Sequence, residues 1–140
     1  MPNAAIFYPV LALALWTLIV LSLVPVARIR AARARQVTVG DFRYGESPAV
    51  PGRVSLPNRN YMNLLELPVI FYTVCLVAFV TGSASQATVA WAWIFVGLRI
   101  VHSLIHLTYN NVLHRLGAFA LGNVVLAILL VSTLVGLARL

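Results

Sequence analysis

Arg59, Asn63 and Glu66 stand at i, i+4 and i+7, so on a helix they share one narrow stripe, with Asn60 beside it. Further along, Arg99, His102, Ser103, His106 and Asn110 fall on one helical face, with Tyr109 at its edge and Arg115 just beyond. Cations, imidazoles and amides gathered this way can bind an anionic ligand in a water-accessible pocket. They can also satisfy one another between helices. A Glu66–Arg99 pair would account for two of them and could serve only to fix helix register. Arg59, Asn63, His102, His106 and Arg115 exceed what that one pair can satisfy.

Other chemistries fit less well. His102 and His106 have the i, i+4 spacing of a metal or b-type haem pair, but the nearest third histidine, His114, lies about two turns on. No metal is expected. The chain contains neither a phosphate-binding loop nor a Gly-x-Ser-x-Gly elbow. Cys75, the single cysteine, sits deep in an apolar run and reads as inert packing; it excludes an internal disulfide. A channel or transporter would need a relay of carboxylates that three acidic residues do not supply.

The elements that position these residues are apolar and long. The 140 residues are 61% hydrophobic and 9% charged, with mean hydropathy +0.94. A soluble domain carries roughly a quarter charged residues, so this is an integral membrane protein. Four runs, about 5–27, 58–81, 86–108 and 116–138, each have roughly the 20 residues that span a bilayer as a helix. None alternates on a two-residue period, which excludes barrel strands. The expected fold is therefore all-α: one domain over residues 1–140, a transmembrane four-helix bundle. Pro25 is expected to end the first helix near the interface, and Pro68 to kink the second just after Glu66.

Charge sets the expected orientation. The net +7 comes from ten arginines against Asp41, Glu46 and Glu66, with no lysine. Six arginines (Arg28, Arg30, Arg33, Arg35, Arg43 and Arg53) lie in the link 28–57, which reads as topology and anionic-lipid contact rather than nucleic-acid binding. With Gly40, Gly45, Pro48, Pro51, Gly52 and Pro57, the link is expected to be irregular after an initial helical overhang. The positive-inside rule puts this link and the short basic link around Arg115 in the cytoplasm, and both termini outside. The first run is longer than a signal h-region and has no basic residue before it, so it reads as an anchor. Trp91 and Trp93 read as an interfacial belt. Glu66 then lies roughly 12 Å, and Arg99 roughly 14 Å, from the cytoplasmic ends of their helices.

Arg59, Asn63, Glu66 and Pro68, followed by Arg99-x-x-His102 and the later Arg115, resemble one family. It is the membrane-associated proteins in eicosanoid and glutathione metabolism, MAPEG. The stretches "ELPVIFY" (66–72) and "RIVHSLIHLTYN" (99–110) are most similar to its prokaryotic branch. The resemblance implies a homotrimer in a membrane, here a bacterial inner membrane. It also implies glutathione as co-substrate between neighbouring protomers, near the cytoplasmic face. By the same resemblance, Arg59, Asn63 and Glu66 hold the charged ends of the tripeptide, and His102 adds a polar contact. Arg99 and His106 complete the binding set. Arg115 is the candidate catalytic residue, stabilising the thiolate, since a cation beside a thiol raises its deprotonated fraction. The implied activity is a glutathione-dependent transferase or peroxidase acting on lipophilic electrophiles or lipid hydroperoxides. Three departures are visible. Pro68 follows Glu66 sooner than in the eicosanoid enzymes, and His106 replaces a tyrosine found in several of them. Leu116 and Phe119 stand where some carry a hydroxyl. Since the family includes a non-catalytic lipid-binding member, the alternative is a lipid-binding or accessory subunit of a larger membrane complex.

Overall fold

The computed structural model describes residues 3–139. Four helices make up most of it: α1 (Phe7–Arg33), α2 (Gly52–Val80), α3 (Gln86–Leu107) and α4 (Val112–Leu137). There is no β-strand among the described residues. Each helix is long and apolar enough to cross a membrane.

The chain runs up and down. Phe7 at the start of α1 meets Phe79 near the end of α2 edge-on, 4.6 Å between ring centroids. Gly136 at the end of α4 lies against the α2–α3 hairpin, where a Cβ would come within 2.9 Å of the Ser83 Cβ. The hairpin turns on Gly82, whose φ of +72° suits a residue without a Cβ. One end of the bundle therefore holds this hairpin, the start of α1 and the end of α4; the opposite end holds the two basic links. Between them, Leu13, Val20, Leu64, Phe71, Cys75, Phe95 and Leu129 form the dry core, and Phe71 stacks on Phe95 at 4.7 Å. Cys75 is fully enclosed there.

Two helix limits differ from the sequence reading. Pro25 does not end α1, which continues to Arg33. The continuation is rich in alanine and arginine, good helix formers, and Arg30 and Arg33 sit in the last turn, where cations favour the helix dipole. At 27 residues α1 measures roughly 40 Å, so its last turns outreach a hydrocarbon layer of about 30 Å. The second difference is that α2 begins at Gly52 rather than near residue 58, and Pro57 lies inside it. The cause is tertiary. Val54 packs with Ala31, Val37 and Val50, with Phe42 laid against them, and this small cluster rewards a helical start. The carbonyl that Pro57 leaves free belongs to exposed Arg53, where water can reach it.

The α1–α2 link is thus a folded cap. Arg35 adopts φ +56°, and Gln36 N donates to Ala31 O at 2.9 Å, closing α1 with a left-handed turn usually given to glycine. The guanidinium of Arg28 lies 4.4 Å from the Phe42 ring centroid and 3.6 Å from Glu46 Oε1. Asp41 Oδ2 accepts from the Thr38 backbone N at 2.7 Å and from Thr38 Oγ1 at 2.9 Å. The backbone bond first, then the hydroxyl, hold the Asp41 carboxyl below its ordinary value. A carboxyl depressed in the folded state stabilises above its unfolded pKa, and that contribution is lost as pH falls through the folded value. Amide exchange at Thr38 is accordingly expected to quicken at acid pH relative to the intrinsic rate, and Asp41→Asn to show the faster exchange at neutral pH. Equal protection of Thr38 in both proteins at neutral pH would remove this role.

Candidate functional site

The polar residues of α2 divide between two faces. Asn60 is fully buried, and its Nδ2 donates to Ser103 Oγ on α3. Trp16 Nε1 on α1 donates to the same oxygen at 2.9 Å. One hydroxyl therefore ties three helices together. Arg59 and Glu66 are exposed and Asn63 is half-buried, so the stripe that contains them faces out of the protomer.

On α3, Arg99, His102 and His106 are all buried. The Arg99 guanidinium lies 5.4 Å from the ring centroid of Phe95 and 5.4 Å from that of Phe119 on α4. Its Nε and Nη2 have no hydrogen-bond partner. The His102 ring is 6.1 Å from both the His106 and the Phe119 rings. His106 Nδ1 is likewise buried and unpartnered.

The expected Glu66–Arg99 ion pair does not form within the protomer. The salt bridge found among the described residues joins Arg28 to Glu46. Depth along the helices matched and the Glu66 charge acts on Arg99, but the two groups do not come within ion-pair distance. Although α2 and α3 are consecutive, α3 packs most extensively against α4. Arg99 accordingly follows α3's packed face toward Phe119, while Glu66 lies on the outer surface of α2.

The α3–α4 link positions Arg115. Asn111 caps α4, its Oδ1 accepting from Leu113 N at 3.0 Å and His114 N at 3.1 Å. Asn110, with φ +50°, presents Oδ1 to Arg115 Nη1 at 2.7 Å. The Nε of Arg115 remains buried without a partner. Around it opens a groove of about 270 Å³ lined by Asn63, His102, Val112, Arg115, Leu116 and Phe119. A larger cleft of about 510 Å³ includes Arg53, Pro57, Arg59, Tyr109 and Asn110 among its walls. Asn63, His102 and Arg115 thus share one groove, and Arg59 borders the other. Arg99, His106 and Glu66 line neither. No group of three or more His, Cys, Asp or Glu side chains able to hold a metal occurs among the described residues.

An Arg–Asn–Glu stripe on α2, an Arg-x-x-His face on α3 and an arginine opening α4 together run from Arg59 to Arg115. A family model described as the MAPEG family matches residues 6–135. The chain belongs to the MAPEG family. No curated protein and no solved structure matches it significantly. MAPEG proteins are generally associated with glutathione, and the four spans make this member an integral membrane protein.

Two features of the site escaped the sequence reading. Trp16 was not distinguished from its apolar neighbours, although an indole N–H in a span needs an acceptor. Asn123, a lone amide in the fourth run, has a buried Oδ1 without a partner; its isolation among apolar residues was the available signal.

Proposed function

We propose that this MAPEG protein is a glutathione-dependent transferase or peroxidase acting on lipophilic electrophiles or lipid hydroperoxides. The observation that carries the reading is the groove in which Arg115, with an unpartnered Nε, faces Asn63 and His102. Glutathione supplies the thiol. The chain's part is to hold the charged ends of the tripeptide and keep the thiol deprotonated beside Arg115. Asn63 offers both a donor and an acceptor, and His102 a ring nitrogen. The apolar walls, Val112, Leu116 and Phe119, suit a lipophilic second substrate.

The outward stripe supports a homotrimer with glutathione held between protomers. A carboxylate such as Glu66, about 12 Å into a span, is costly against lipid and is tolerated against a neighbouring chain. In this reading Arg59 and Glu66 of one protomer complete the groove of the next. The basic links face the cytoplasm of a bacterial cell and both termini lie outside, in keeping with the excess of arginine in those links.

Calorimetry of detergent-purified protein tests the binding step. Arg59→Ala and Glu66→Ala are each expected to weaken glutathione about tenfold or more, since a hydrogen bond to a charged group contributes roughly 1.5–3 kcal/mol. Absence of binding by the wild-type protein at millimolar glutathione would overturn the reading. A non-catalytic lipid-binding or accessory role is the second reading, favoured by Leu116 and Phe119, which leave the groove without a hydroxyl beside Arg115. Turnover of an aryl halide with glutathione counts against it, and co-purification with a stable partner counts for it.

A further inference from the structure

The α1–α2 cap carries a cationic surface, six arginines against Asp41 and Glu46. Arg30, Arg33, Arg35, Arg43 and Arg53 are exposed. Of the two carboxylates of the segment, Glu46 pairs with Arg28, and Asp41 accepts hydrogen bonds from Thr38, leaving these five arginines without a salt bridge among the described residues. The cap also exposes apolar groups beside these cations: Val39 is 91% and Ile29 52% exposed. Between them lies a slot of about 220 Å³ whose walls include Arg28, Ile29, Val37, Val39 and Phe42. Arg28 Nε is shut off from solvent there and has no hydrogen-bond partner. Because α1 outreaches the hydrocarbon layer, the slot stands at headgroup depth.

We propose that the slot between the end of α1 and the Val37–Phe42 turn binds an anionic phospholipid of the surrounding leaflet. The lipid phosphate lies in the field of the exposed arginines, because Arg28 is already paired with Glu46. The glycerol and the first methylenes of its chains cover Ile29 and Val39. A free phosphate could use the cations, but it would leave those two side chains in water, which is why a lipid is the better occupant. The cap's own packing is the second reason. Ala31, Val37, Val50 and Val54 hold the turn in place, so the slot exists before a lipid arrives.

Native mass spectrometry of the full chain in neutral detergent, with phosphatidylglycerol and phosphatidylcholine of matched acyl chains, tests this. Phosphatidylglycerol is expected to be retained preferentially, with the preference falling as salt rises. Inorganic phosphate should not displace it. The double variant Arg33→Gln/Arg43→Gln is expected to lose about tenfold or more in phosphatidylglycerol retention. Val39→Asp should lose a comparable amount without touching any arginine. All three side chains are exposed, so circular dichroism and melting in phosphatidylcholine should match the wild-type protein. Equal retention of the two lipids by wild type, or displacement by phosphate, would overturn the proposal. So would wild-type retention by Val39→Asp, because a diffuse cationic surface without a slot would then suffice.

Discussion

Replacing Arg115 by alanine is expected to lower glutathione-dependent turnover by roughly 10²–10³, the usual cost of removing a preorganised group from a developing charge. The reason is local. Arg115 is held by Asn110 through Nη1 and lines the groove, so its charge is fixed at the groove wall. Leu116 and Phe119 place no hydroxyl in the groove, and Asn63, although a donor, carries no charge to replace the lost cation. Thiolate absorbance should show the bound thiol reverting toward its free pKa. Glutathione affinity should fall much less than turnover, because Arg59, Asn63 and Glu66 are proposed to hold the charged ends. Arg115→Lys is expected to recover part of the rate: it restores a point charge without the planar fork that meets Asn110. Unchanged turnover in Arg115→Ala would remove the residue from catalysis. Equal loss of affinity and turnover would make it a binding residue only.

Much of the architecture was legible because membrane spans are written in long apolar runs, and a helix is the way a lipid-embedded backbone satisfies itself. What the runs could not encode was azimuth. Glu66 and Arg99 were matched by depth, and the Glu66 charge does act on Arg99, yet the two groups stay too far apart for a direct ion pair while Arg99 lies against Phe95 and Phe119. Pro57 misled for a related reason. Local propensity stops a helix there, whereas Val54 packing on Ala31 and Val37 carries α2 back to Gly52. At the site, residue type and period brought Asn63, His102 and Arg115 to attention, and they do share a groove. Asn60, noted only as lying beside the stripe, enters the protomer's interior. A shift of one position along a helix turns a side chain by about 100°, and that decides between lining a groove and anchoring a neighbour.

That anchor yields the largest expected stability effect. Ser103 Oγ is the common acceptor for Trp16 Nε1 and Asn60 Nδ2. Ser103→Ala removes few atoms but strands two donors in the interior, at roughly 1–3 kcal/mol each, so a loss of about 2–4 kcal/mol is expected. Pairwise bonds between membrane helices average only about 0.6 kcal/mol, because the unfolded chain in lipid also finds partners. The present case differs in that both donors lose their acceptor at once, and Asn60 Oδ1 is already unpartnered. Asn60→Leu makes the contrast. It removes a donor and an orphan acceptor together, keeps the Trp16–Ser103 bond and fills the volume, so it should cost under about 1.5 kcal/mol. Reversible unfolding in mixed micelles measures both. Equal costs for the two variants, or less than about 1 kcal/mol for Ser103→Ala, would mean that water reaches the node and satisfies it. The consequence extends to the groove. Ser103 adjoins His102 in sequence, so loosening the bonds from α1 and α2 lets α3 rotate and carries the imidazole with it. Glutathione affinity should therefore drop in Ser103→Ala although no residue that lines the groove has changed.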